Sequence, residues 1–338
     1  MTTAAVLAGV GATVPPRVVT NHDLAARLDT SDEWIRQRTG IAERRVVDGG
    51  LSTGDLATEA GMRALKNAGI SSVDQLILAT TTPDRPCPAT APTVASRMGL
   101  DTIPAFDISA VCSGFLYALQ MGTASIAAGH AASVLVIGAE SFSTILDPHD
   151  RTTAAIFGDG AGAMVLRRGS PDEDGAFLAF DAGSDGGLAD LITVRSGGAE
   201  QRSRTTQPDP HDAFFRMEGK QVYINAVRRM TESSRAVTAK AGWAISDIDR
   251  FVGHQANKRI IHTVAEQLDV DLTRAVLNIE NVGNTAAASI PLALVDSASR
   301  NEMRPGDRTV LTAFGGGATW ASVAMTWPEI DTPTSPMT

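Results

Sequence analysis

Asp107-Ile-Ser-Ala-Val-Cys112-Ser-Gly-Phe-Leu-Tyr-Ala-Leu119 is the stretch from which the fold can be read. The short apolar run at about 104–109 predicts a strand, and small and apolar residues with helical spacing then continue to about residue 129. Cys112 therefore falls at a strand-to-helix turn, which points its side chain away from the sheet. The unpaired N–H groups and positive end of the helix are expected to favour the thiolate there. The same N–H groups can receive the negative oxygen that forms when a thiolate attacks a thioester carbonyl. Taken alone, Cys112 reads equally as a small buried hydrophobe.

Strand-like and helical segments alternate on both sides of this turn. Strands are predicted near 4–9, 75–81, 133–138 and 249–253, with a last one ending near 327, and helices near 53–68 and 219–241. An acidic, glycine-bearing connection near 172 marks a midpoint, so the chain is expected to divide into halves 1–172 and 173–328. Residues 196–210 are polar and predict an exposed loop. The Pro- and Thr-rich tail 329–338 is expected to be disordered. Two glycine stretches imitate dinucleotide loops without completing them. After Gly9-Val-Gly11 the third glycine is missing, and Pro15-Pro16 stands where the phosphate-binding helix should begin. After Phe157-Gly-Asp-Gly-Ala-Gly162 comes a strand-like Met164-Val-Leu166, so these glycines predict close backbone packing.

The 338 residues, 43% of them hydrophobic, are ample for a large buried core. A net charge of −9 disfavours nonspecific binding to nucleic acid or an anionic membrane. Two cysteines make neither a disulfide framework nor a four-cysteine metal site, which suits a reducing compartment. With no leader pattern and no apolar run approaching about twenty residues, the protein is read as cytoplasmic.

Three further strand ends carry polar or glycine signals: His254-Gln-Ala-Asn257, Gly283-Asn284-Thr and Phe314-Gly-Gly-Gly317. Singly these read as a core histidine, a helix cap and a tight turn. Beside Cys112, at the ends of strands where sheet-based sites assemble, they point to thioester chemistry. Trp34 and Arg38, four residues apart, can offer an aromatic face with a cation beside it. Three prolines around Cys87 fix an extended path that places its small side chain firmly.

Taken in order, Thr30-Ser-Asp-Glu-Trp34, Arg38-Thr-Gly-Ile41, Cys112-Ser-Gly-Phe115, Phe157-Gly-Asp-Gly-Ala-Gly162, His254-Gln-Ala-Asn257, Gly283-Asn284-Thr and Phe314-Gly-Gly-Gly317 resemble β-ketoacyl-acyl carrier protein synthase III. The likeness runs from about residue 4 to 327. It implies a thiolase-like α/β fold of five layers, α-β-α-β-α, made of two pseudo-repeated halves, normally as a homodimer. It implies that Cys112 takes an acyl group from acyl-CoA, with the N–H groups of Cys112 and Gly316 as oxyanion hole. His254 and Asn284 would then bind the thioester carbonyl of malonyl-acyl carrier protein during decarboxylation. No metal or redox cofactor is implied; acyl-CoA is a substrate. Trp34, Arg38, Arg151 and Asn257 match CoA-binding positions, and Cys87, Phe157 and Phe314 the acyl pocket. Arg259 matches a carrier-protein docking position, with Lys258, Lys220, Arg228 and Arg229 as further candidates.

The chain departs from the family pattern at several points. Val111 and Ser113 flank Cys112 where alanines are common, Gly253 precedes His254 in place of proline, and Thr152 follows Arg151 in place of glycine. Cys87 stands where many relatives place a phenylalanine that reaches into the partner's acyl pocket, which implies a roomier pocket and a branched, longer or unusual primer. A thiolase would need a second catalytic cysteine near Phe314-Gly-Gly-Gly317, and none is there. An acyltransferase that moves the acyl group to a hydroxyl or amine without condensation would not need the His254 and Asn284 pair. A noncatalytic heterodimer partner would usually lack Cys112.

Overall fold

Strand order shows a duplicated plan. The computed structural model describes residues 3–100 and 102–337. Its first half forms β1 (Ala4–Thr13), β2 (Gln75–Ala79), β3 (Ala105–Ile108), β4 (Ser133–Glu140) and β5 (Gly160–Gly169). The second forms β6 (Phe177–Ser184), β7 (Arg250–Gly253), β8 (Arg308–Gly315) and β9 (Thr319–Thr326). The first sheet runs β1-β5-β4-β2-β3, with β4, β2 and β3 mutually parallel and the β1–β5 and β5–β4 contacts antiparallel. The second runs β6-β9-β8-β7 with the same directions. Where a counterpart of β3 would lie there is a parallel bridge between Phe251 and Ala275.

Alternation along the strands sends side chains to two faces, and each face finds a helical cover. α1 (Asp32–Thr39) stands beside the sheets, while α2 (Thr53–Asn67), opened by a Ser52–Asp55 capping box, covers the outer face of the first sheet. α3 (Gly114–Ala127) is largely apolar and buries Phe115, Leu116, Leu119 and Ile126, leaving Gln120 and Met121 exposed. α4 (Gly219–Lys240) and α5 (Lys258–Leu268) cover the outer face of the second sheet. α6 (Ser289–Ser299) joins α3 between the sheets, in a core containing Val134, Val136 and Leu166 from one and Leu311, Val323 and Met325 from the other. The layers are therefore α-β-α-β-α. Both glycine stretches serve this packing. A Cβ on Gly11 would lie 2.3 Å from Ala64 N in α2, and one on Gly162 would lie 2.7 Å from Pro291 Cβ in α6.

Residues 196–210 are largely exposed, as expected, with a short helix at Ala199–Arg202. The tail, expected to be disordered, is described to Met337 as a segment lying against α2. Asn67 Nδ2 donates to Asp331 O (2.9 Å), Arg63 Nη1 donates to Ser335 O (3.3 Å), and Ile330 packs on the core between the sheets. A proline-rich extended segment forms no helix or sheet of its own, but its carbonyls accept these α2 donors.

Most sheet margins are covered. Beside β1, Asn67 Oδ1 accepts from Val10 N (2.9 Å), Arg63 donates to Ala12 O (3.1 Å) and Leu7 N donates to Gly175 O (2.8 Å). Tyr117 donates to Gly183 O (2.9 Å) and Lys240 to Phe180 O (3.1 Å) on β6, and Val276 N donates to Phe251 O (2.9 Å) on β7. The outer margin of β3 has no such cover among the described residues.

Candidate active site

β3 ends at Ile108, and a 3-10 turn, Val111–Ser113, carries Cys112 into α3. Val111 holds φ +47°, a left-handed conformation that costs a β-branched residue on the order of 1–3 kcal/mol and persists only where packing enforces it. The enforcing partner is the glycine turn after β8. A Cβ on Gly315 would stand 2.7 Å from Cys112 N, and one on Gly316 would stand 2.8 Å from Val111 Cγ2. The backbones of the two expected oxyanion-hole residues are thus brought side by side.

Cys112 is only 7% exposed. Burial pushes its thiol up, the Glu140 carboxylate pushes it further, and its own backbone N–H pulls the other way. The helix end was expected to favour the thiolate; in the closed chain desolvation outweighs it. Glu140, at the end of β4, is fully buried, accepting from Thr81 N (3.0 Å) and Thr82 Oγ1 (2.7 Å). Burial pushes its carboxyl up to about 7.

His254 follows β7 and is held by its N–H donating to Thr312 O (2.8 Å). It is 2% exposed, and desolvation brings its pKa down to about 3, so the ring is neutral at physiological pH. Asn284 is buried, its N–H donating to Ile156 O (2.9 Å) and its carbonyl accepting from Gly158 N (3.0 Å). Its Oδ1 accepts from Ala286 N (2.9 Å), which turns Nδ2 away as a donor that no hydrogen bond among the described residues uses. Residues 284–289 join the site together, since Ala286 packs in one apolar cluster with Cys112 and Ser289 touches His254. Ala286 and Ala318 share the left-handed strain of Val111, each at φ +45°.

The wall beside Cys112 is aromatic. Phe142 stacks on Phe157 with centroids 4.4 Å apart, and Phe215 meets both edge-on at 5.0 Å. Leu146 and Ala286 complete the buried lining. Phe157, named from the resemblance, is part of this wall; Phe314 is not. Alternation along β8 turns Phe314, with Val310, toward α4 and α5, while Leu311 and Ala313 face the central layer. Cys87 is exposed and lies outside its own protomer's chamber. Within this chain the wall beside Cys112 is made of rings, and Cys87 takes no part in it. Phe142 and Phe215 were missed. The first had a usable signal, since it follows strand β4 as Cys112 follows β3; the second ends an exposed polar segment and had none.

Trp34 lies on α1 with the Arg38 guanidinium 4.9 Å and the Arg151 guanidinium 5.5 Å from its ring centroid. Arg151 is held by Asp29 Oδ2 at 3.0 Å. Asn257 is used inside the protein: Oδ1 accepts from Arg259 N (2.9 Å), capping α5, and Nδ2 donates to Arg38 O (2.8 Å). It joins the Trp34 helix to α5, and keeps its second Nδ2 hydrogen and second Oδ1 lone pair for a further partner. Lys220 and Arg228 lie on α4 and Lys258 and Arg259 on α5, with Arg259 5.9 Å from the Tyr223 ring centroid. Exposed Ile224 sits between Lys220 and Arg228 at four-residue spacing. Arg229 is engaged elsewhere, 4.2 Å over Trp320 and paired with Glu232 at 3.3 Å.

Residues 106–186 match the family model for 3-oxoacyl-[acyl-carrier-protein] synthase III, and residues 238–327 match the model for its C-terminal part. The chain is 58% identical over 330 residues to β-ketoacyl-[acyl-carrier-protein] synthase III 5 of Streptomyces coelicolor, covering 98% of this chain and 99% of that protein. The crystal structure of 3-oxoacyl-(acyl carrier protein) synthase III from Pseudomonas aeruginosa PAO1 superposes with TM-score 0.92 at 49% identity, over 97% of this chain and 99% of that one. The priming β-ketosynthase of the R1128 polyketide biosynthetic pathway superposes with TM-score 0.90 at 30% identity, over 98% and 97%.

Proposed function

Because this chain belongs to the β-ketoacyl-acyl carrier protein synthase III family, we propose that it initiates acyl-chain synthesis by joining an acyl group from acyl-CoA to malonyl-acyl carrier protein with loss of CO₂. Cys112 Sγ attacks the acyl-CoA carbonyl, the negative oxygen is received at the Cys112 and Gly316 N–H groups, and CoA thiol leaves. Malonyl-carrier protein then places its thioester oxygen at His254 and Asn284. The bond to the carboxylate breaks, its electron pair forms an enolate, and two neutral donors stabilise that charge more in the transition state than in the ground state. The carbanion attacks acyl-Cys112, the thiolate leaves and takes up a proton, and the product is a β-ketoacyl thioester two carbons longer. The observation that carries this reading is the donor pair: a histidine kept neutral by burial and an asparagine whose oxygen is already taken, joined to Cys112 through Ala286. These steps call on no resident cofactor.

Trp34 between Arg38 and Arg151 suits the CoA nucleotide, an aromatic base carrying phosphates. The exposed face of Lys220, Ile224 and Arg228, with Lys258 and Arg259 beside it, is the proposed carrier-protein surface. Two copies of the chain pair through the uncovered margin of β3, and the free Cys87 and Cys112 thiols fit a reducing cytoplasm. The testing experiment is intact-protein mass spectrometry of wild type and Cys112→Ala with a panel of acyl-CoAs, then malonyl-carrier protein. Wild type alone should gain an acyl mass and lose it with CO₂ release and a β-ketoacyl product. An acyl mass that malonyl-carrier protein never discharges would move the chain to the noncondensing acyltransferases.

A further inference from the structure

Ser289, the first residue of α6, is a buried hydroxyl that the reaction described above does not use. It is 1% exposed, and its Oγ lies 2.6 Å from His254 Nδ1. The Gln255 backbone N–H points at the same oxygen from 3.4 Å. No other hydrogen bond among the described residues engages that hydroxyl. A backbone N–H can only donate, so Oγ is the acceptor toward Gln255 and its own proton is left for the imidazole. A neutral imidazole that accepts at Nδ1 carries its single proton at Nε2. From this we infer that Ser289 is a positioning residue that sets the His254 tautomer, presenting Nε2–H to the thioester oxygen of the malonyl group.

The setting is rigid enough for this role. Gln255 is fully buried, its Nε2 donating to Gly253 O (2.8 Å) and Val276 O (3.1 Å) and its Oε1 accepting from Asn278 N (3.1 Å), so the backbone at His254 has little freedom to move away. On the other side, the turn that places Ser289 also carries Asn284, whose own amide is oriented by Ala286 N. One six-residue segment would thus supply the first enolate donor and fix the proton of the second. Without the serine hydroxyl, Nδ1 loses its only partner among the described residues, and the tautomer with the proton on Nδ1 becomes accessible. That tautomer turns a lone pair toward the enolate oxygen and opposes its charge.

The inference rests on the reading of His254 as a donor to that oxygen, so His254→Ala is measured alongside Ser289→Ala and Ser289→Thr. Acylation of Cys112 is followed by intact mass, and CO₂ release by discharge of the acyl-enzyme with malonyl-carrier protein. Histidine ¹⁵N shifts report the tautomer. Ser289→Ala should acylate within about twofold of wild type, lose on the order of tenfold to a hundredfold in kcat for CO₂ release with a smaller change in KM, and show His254 as a mixture of tautomers. Ser289→Thr, which keeps the hydroxyl, should restore both rate and tautomer. If Ser289→Ala keeps full CO₂ release while His254→Ala loses it, the serine has no such role. If acylation, CO₂ release and thermal midpoint all fall together and threonine restores none of them, the serine is structural. If His254→Ala keeps CO₂ release, the donor reading of His254 falls and the Ser289 role with it.

Discussion

At the scale of single residues, the site sets two titratable groups against their habits. His254 stays neutral because its charged form would be buried without a partner, and its pKa of about 3 puts protonation far below working pH. In the Glu140→Gln variant, which removes the carboxyl raised to about 7, CO₂ release from the acyl-enzyme should therefore show no inflection between pH 5 and 8; a break there near the ordinary histidine value would remove the neutral-donor argument. Stability follows the same group: a depressed folded pKa contributes above the unfolded value of 6.5 and is lost as pH falls toward 3. Glu140 has the opposite sign. Its folded pKa of about 7 lies above the ordinary 4.5, so its contribution is full below 4.5 and lost as pH rises through 7. Glu140→Gln should flatten that fall in thermal midpoint. It should also remove a negative charge that opposes the Cys112 thiolate, speeding alkylation of Cys112 by iodoacetamide on the order of tenfold at pH 7.5; an unchanged rate would mean that desolvation alone holds the thiol.

Among elements, the strand ends were the legible part. Cys112 and His254 each follow a strand, where the backbone gives way to a turn and aims side chains into a shared space; Asn284, expected at a strand end too, instead follows a helical turn at Ile279–Val282. Ser289 carried no such signal. It lies in a run of small residues, and its partner is 35 positions away in the chain. Phe314 was misread because closeness to a motif in sequence says nothing about which face of a strand a side chain takes; alternation along β8 decided that. Phe142 bears most directly on what the enzyme accepts, since its ring stacks on Phe157 beside Cys112. Phe142→Ala should shift the best primer toward longer or branched acyl-CoAs, at a cost of about 3–5 kcal/mol in stability. Acylation rates across a chain-length series check this, and an unshifted optimum would place the limit elsewhere.

Over the whole molecule, duplication explains why the architecture was readable and the details of each end were not. The two halves repeat one strand order, and the midpoint in the pattern fitted that plan, though only the family resemblance supplied it; the tail belongs to neither repeat. Its proline-rich composition argued for disorder, while its carbonyls meet Asn67 and Arg63 on α2. Those same residues cover β1 through Val10 N and Ala12 O. Ending the chain after Pro328 should lower the thermal midpoint by a few degrees, on the order of 1–2 kcal/mol, with acylation unchanged. Loss of soluble protein would instead show that the tail is needed to fold. The unequal margins of the two sheets bear on how many copies can assemble. Among the described residues β1, β6 and β7 are each occupied from within the chain and β3 is not, so if copies pair through β3 as proposed above, a copy has a valence of one: two would satisfy each other and leave nothing with which to recruit a third. Had the second sheet kept a bare counterpart of β3 instead of the bridge at Phe251, each copy would be divalent, and the same attraction would link copies into open-ended strings.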